Sequence, residues 1–171
     1  MIEQLAEILK GGDLRSIGRA NKLIVIVKNQ QDFDQLFQFL LSGERVQAMR
    51  AADAIEKITV NHPEYLKTHK KELLALLPTA VNKEMKWHLC QLIPRLSLSV
   101  KELTRCLQIL TEWVFEKKES KIVRVNALQA LFDLQQKYPG GKINLQPIIA
   151  RLEKENTASI KARLRKIQKG Q

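Results

Sequence analysis

His88 and Cys90 lie two residues apart, and an imidazole beside a thiolate is a zinc donor pair. On a helix, however, a spacing of two turns the side chains about 200° apart, so they cannot share a metal. The second cysteine, Cys106, falls in a different helical segment and no CxxC pair exists. Both thiols are expected to be buried and free. The three histidines, at 62, 69 and 88, never take the HExxH spacing of a zinc protease. No Ser or Cys sits in a nucleophile elbow, and Gly11-Gly12 and Gly140-Gly141 are isolated turn pairs, not phosphate-binding loops. These residues assign no catalytic group, no metal and no cofactor, and the expectation is a binding protein, not an enzyme.

Charge offers a second kind of chemistry. The chain carries a net charge of +11 over 171 residues. Residues 142–171 hold eight Lys and Arg against Glu153 and Glu155, a net +6. A basic end attracts phosphate backbones or acidic proteins. Arg19, Arg163, Arg165 and Lys166 are the candidate phosphate contacts, with Arg50 and Arg95 beside them. The plainer alternative is a solvated final helix that keeps the chain soluble.

The elements that must carry these groups are helices. A hydrophobic content of 44% excludes a disordered chain, and Leu, Ile, Ala, Lys, Gln and Glu predominate over the few Gly and Pro. The longest uninterrupted apolar runs, such as 23–27, are five residues, far short of a membrane span. Glu3 and Glu7 break any basic-then-apolar leader pattern, so a cytoplasmic location is expected, with no membrane partner.

Three segments, 49–58, 87–96 and 125–134, align without gaps at intervals of 38 residues. Positions 51/89/127, 54/92/130, 55/93/131 and 58/96/134 are apolar in all three, which is the i, i+3, i+4, i+7 face of a helix. Positions 53/91/129 and 57/95/133 are polar in all three. A second amphipathic helix precedes each segment, over 33–41, 65–80 and 100–116. Two helices in 38 residues make a helical hairpin, and less regular pairs are expected at about 1–30 and 142–171. Asp13 is a candidate cap between the first two helices. Ser99-Val100-Lys101-Glu102 reads as a capping box. Ser42-Gly43 and Pro139-Gly140-Gly141 read as breaks, Pro63 fits a first helical turn, and Pro78 and Pro94 predict kinks or early stops.

The third segment contains Val123-Arg124-Val125-Asn126-Ala127-Leu128-Gln129-Ala130-Leu131. This run resembles the V-R-x-x-A-x-x-A-L signature of HEAT repeats. The other segments place Ala48 and Lys86 at the Arg position, and the Asp usual in the family's inter-helix turn is absent. The resemblance implies an all-α fold, an α-α superhelix of about five helical pairs forming one domain over 1–171. It also implies a scaffold or adaptor, since HEAT-like proteins are mostly that. One HEAT-like branch is similar in size and acts as alkylpurine DNA glycosylases. Such an activity would need Asp53 and Trp87 as carboxylate and base cradle.

In a stack of such hairpins the second helices line the inner side. With 100° per residue, the apolar quartet points away from position 49 and its equivalents Trp87 and Val125. The predicted inner surface therefore contains Met49, Asp53, Trp87, Gln91, Arg95 and Gln129, with Arg50, His88 and Asn126 turned sideways. Aromatic and Arg anchors suit recognition of a protein or peptide. Alternatively, Arg50, His88 and Asn126 form a hydrogen-bond ladder between repeats with Asp53, Gln91 and Gln129. Nucleic acid is the alternative partner, and no small-molecule cofactor is expected.

Overall fold

The structure is a computed structural model that describes residues 2–10, 20–42, 44–139 and 143–170. Gly11-Gly12, Asp13, Arg19, Gly43 and Gly140-Gly141 lie outside the described residues. Ten α-helices and two short 3₁₀ turns make up the described chain, with no strand among them. It is an all-α fold of successive helical hairpins, grouped into two compact units, residues 1–70 and 71–171. None of the described helices is long and apolar enough to cross a membrane.

The first unit holds α1 (Ile2–Leu9), α2 (Ala20–Ile26), α3 (Gln30–Ser42) and α4 (Arg45–Asn61), followed by a 3₁₀ turn, Pro63–Leu66. Helix α4 packs against α1, α2 and α3, so it is covered on several sides. Phe33 and Phe37 of α3 are wholly buried, and the His69 ring stacks on Phe37 at 3.9 Å. His69 Nε2 lies 2.7 Å from Asp34 Oδ1.

The second unit begins with α5 (Lys70–Thr79) and α6 (Lys83–Leu92), which tightens into a 3₁₀ turn, Ile93–Arg95. Then follow α7 (Val100–Phe115), α8 (Lys121–Lys137), α9 (Gln146–Glu153) and α10 (Ala158–Gln168). Helix α8 is central: α6 and α10 flank it as inner helices, and α7 backs it as its hairpin partner. Both cysteines are buried thiols, and burial pushes the Cys90 thiol up so that it stays protonated.

All twelve positions of the periodic apolar quartet are buried, none more than 4 % exposed. Helices α4, α6, α8 and α10 begin at Arg45, Lys83, Lys121 and Ala158, so the repeat governs where inner helices start. Ser99 and Glu102 form the reciprocal capping box at α7, with the Ser99 N–H donating to Glu102 Oε2 at 2.7 Å. Helix α6 stops at Leu92 because Pro94 has no N–H to continue the ladder, and α5 ends one residue after Pro78.

The expected helix over 65–80 is in fact divided. Pro63 starts the 3₁₀ turn, and α5 begins only at Lys70. Between them the Thr68 hydroxyl donates to the Tyr65 carbonyl, and Gln30 Nε2 donates to that same carbonyl. Side chains thus occupy an acceptor that a continuous helix would use.

Two ion pairs tie successive hairpins of the second unit together. Arg124 Nη2 contacts Glu155 Oε2 at 2.7 Å, while its Nε donates to the Val114 carbonyl at 2.7 Å. Lys86, at the equivalent place on α6, pairs with Glu119. In each case an inner-helix cation meets a glutamate at or beside the turn within the next hairpin.

Candidate partner-binding surface

The inner helices of the second unit form the surface on which most candidate residues gather. On α6, Trp87 and Gln91 are partly exposed, and Arg95, also partly exposed, follows on the 3₁₀ turn. The Trp87 ring stacks on His88 at 4.8 Å, and His88 itself is buried. On α8, Gln129 bridges two elements. Its Nε2 donates to Asp133 Oδ1 at 2.8 Å within the helix. Its Oε1 accepts from Arg163 Nη1 on α10 at 2.7 Å.

Asp133, Gln129 and Arg163 thus form one hydrogen-bonded string across α8 and α10, and the charge of Arg95 acts on Asp133 from the third element. Burial pushes the Asp133 carboxyl above its ordinary range; the Gln129 hydrogen bond and the charges of Arg163 and Arg95 pull it back down. Arg163, read from sequence as a phosphate contact, therefore belongs to the inner row. The helical phase that puts Arg95 on the predicted inner surface puts Asp133 there as well. Its signal is its spacing of four from Gln129 and its place in the same polar row as Arg95.

The raised Asp133 value has a consequence for stability. The folded chain holds this proton more tightly than the unfolded chain does. The resulting stabilisation is complete below the ordinary value of 3.8 and is lost as pH rises through the raised one. Urea midpoints of wild type and Asp133→Asn should diverge above about pH 4, the variant gaining on wild type. Parallel profiles from pH 4 to 7 would show that the flanking cations cancel the burial.

The remaining candidates are placed differently. Met49 is 7 % exposed and does not face outward as the helical phase predicts. The reason is that α4 is enclosed by three helices, so its buried surface extends well beyond one apolar stripe. Arg50 is also buried, and its Nη1 donates to the carbonyls of Leu9 and Lys10 at 3.0 Å each, capping the end of α1. Asp53 pairs with Lys57 at 2.8 Å along the same helix. Asn126 Nδ2 donates back to the Ile122 carbonyl at 2.8 Å. The ion pairs that link hairpins sit two residues earlier than the expected ladder, at Lys86 and Arg124. Arg165 and Lys166 are exposed on α10, and Arg19 lies outside the described residues.

Among the described residues, no three His, Cys, Asp or Glu side chains come together as a metal site. A HEAT repeat domain family profile matches residues 2–171. No curated protein and no solved structure matches the chain.

Proposed function

This chain belongs to the HEAT repeat domain family, and on that premise we propose that it is an adaptor whose inner-helix face in residues 71–171 holds a protein segment. Helical-hairpin stacks of this kind are often used for protein–protein binding, through the extended surfaces that their repeats build. The observation that carries the reading is the half-buried row of Arg95, Asp133, Gln129 and Arg163. The charges of Arg163 and Arg95 both act on Asp133, so the row is positive on balance and suits a carboxylate brought by a partner. Trp87 and Gln91 lie one turn apart on α6, with Arg95 beyond them on the 3₁₀ turn, so an apolar ring and a cation belong to the same element. The segment that fits is one pairing an acidic residue with an aromatic or aliphatic one.

Selection of a displayed random-peptide library on the folded protein should yield such a motif. Arg163→Ala and Trp87→Ala should each weaken the best peptide by roughly tenfold or more, read by fluorescence anisotropy. Circular dichroism should show both variants as helical as wild type. Peptides without a shared motif, or peptides that bind both variants at wild-type strength, would overturn the reading.

A further inference from the structure

Residues 71–171 carry 19 Lys and Arg against nine Asp and Glu, whereas residues 1–70 carry ten against nine. The second unit therefore holds +10 of the chain's +11. Much of that charge collects at one edge. Helices α6, α8 and α10 all start where the hairpins turn, and the pairs Lys86–Glu119 and Arg124–Glu155 hold successive turns beside one another. Lys83, Lys117, Lys118, Lys121, Lys154 and Lys161 are exposed along this edge. Of the carboxylates nearby, Glu119 and Glu155 are neutralised by Lys86 and Arg124, which leaves Glu84, Glu116 and Glu153 against the six lysines and the edge positive on balance. The amino ends of the three inner helices add positive partial charge toward the same edge.

We infer that this hairpin-turn edge docks the phosphate backbone of a nucleic-acid duplex without reading base sequence. Packed helices lie about 8–10 Å apart, so the lysines recur in a row at steps of that order. A duplex presents one charge per about 1.7 Å of its axis, so such a row always has phosphates in reach without needing a register. Six lysines act as point charges, which suits backbone contact and not bidentate readout of base edges. The exposed apolar residues here, Val81 and Ile122, are single aliphatic side chains and not the Trp, Phe and Leu of a membrane-inserting face. The edge is distinct from the inner face, so the inference does not rest on peptide binding.

The test compares two triple variants that remove the same charge. Lys117, Lys118 and Lys121→Gln alters the edge. Arg165, Lys166 and Lys169→Gln alters the opposite end of α10. Binding to a fluorescein-labelled duplex of about 20 base pairs is followed by anisotropy between about 50 and 200 mM salt. The edge variant should lose roughly 10- to 100-fold in affinity at the low-salt end and about 2–3 from the slope of log affinity against log salt. The α10 variant should lose less than about threefold. Equal losses, a larger loss in the α10 variant, no binding by wild type at low salt, or binding only to phosphatidylserine vesicles would each overturn the inference. The edge variant should keep its affinity for peptides selected on the inner face, so the two proposals fail separately.

Discussion

Replacing Arg124 with alanine should cost about 3–5 kcal/mol of stability, the range for removing one partner of a buried ion pair. The guanidinium is buried, and it serves both the Val114 carbonyl and Glu155, whose side chain is 21 % exposed. Alanine leaves a backbone acceptor without its donor and a carboxylate without its cation, both in partial exclusion from water. Urea denaturation reads the loss. Glu155→Gln should cost less, since it keeps a hydrogen-bonding group of the same shape at the site. Pairing Arg124→Met with Glu155→Leu should recover much of the stability, because two apolar groups leave no unpaired charge. A single Arg124→Ala variant with a wild-type midpoint would mean that water solvates Glu155 and that the pair does not join the hairpins.

Arg50→Ala should act on the first unit in a more local way. Its two hydrogen bonds end α1, where the last carbonyls of a helix have no partners of their own. Hydrogen bonds to a charged group are worth about 1.5–3 kcal/mol each, so the loss should be about 3 kcal/mol. Hydrogen exchange should locate it: amides of α1 should lose protection first, before those of α3 and α4. Arg50→Lys should recover only part, since an ammonium is more strongly hydrated than a guanidinium and costs more to bury. Uniform deprotection of residues 2–61 would show that Arg50 supports the whole unit and not the α1 terminus.

The repeat was readable in the sequence because burial in stacked hairpins follows a strict spacing. Ala51, Leu89 and Ala127 differ in size, yet each sits at the same phase and each is wholly buried. Capping chemistry was readable for a similar reason: Ser99 and Glu102 act within four residues, with no need of a distant partner. What escaped depends on contacts far apart in the chain. A helical wheel assumes one covered face, and Met49 fails it because α4 is covered on several sides. Lys86 and Glu119 are 33 residues apart, so the sequence showed only a departure from the Arg of the motif, not the ion pair replacing it. Arg163 counted as one base among many until α10 set it against Gln129.

The direction of the ion pairs also has a consequence in time. Lys86 finds its carboxylate 33 residues later, and Arg124 finds its own 31 residues later. During synthesis the first two hairpins of the second unit therefore each emerge with a cation still waiting for the turn that follows it. A nascent chain halted after α8 holds Arg124 with no Glu155 to meet it. Such a chain should hold its newest hairpin only loosely, and each new turn that appears should fasten the one made before it.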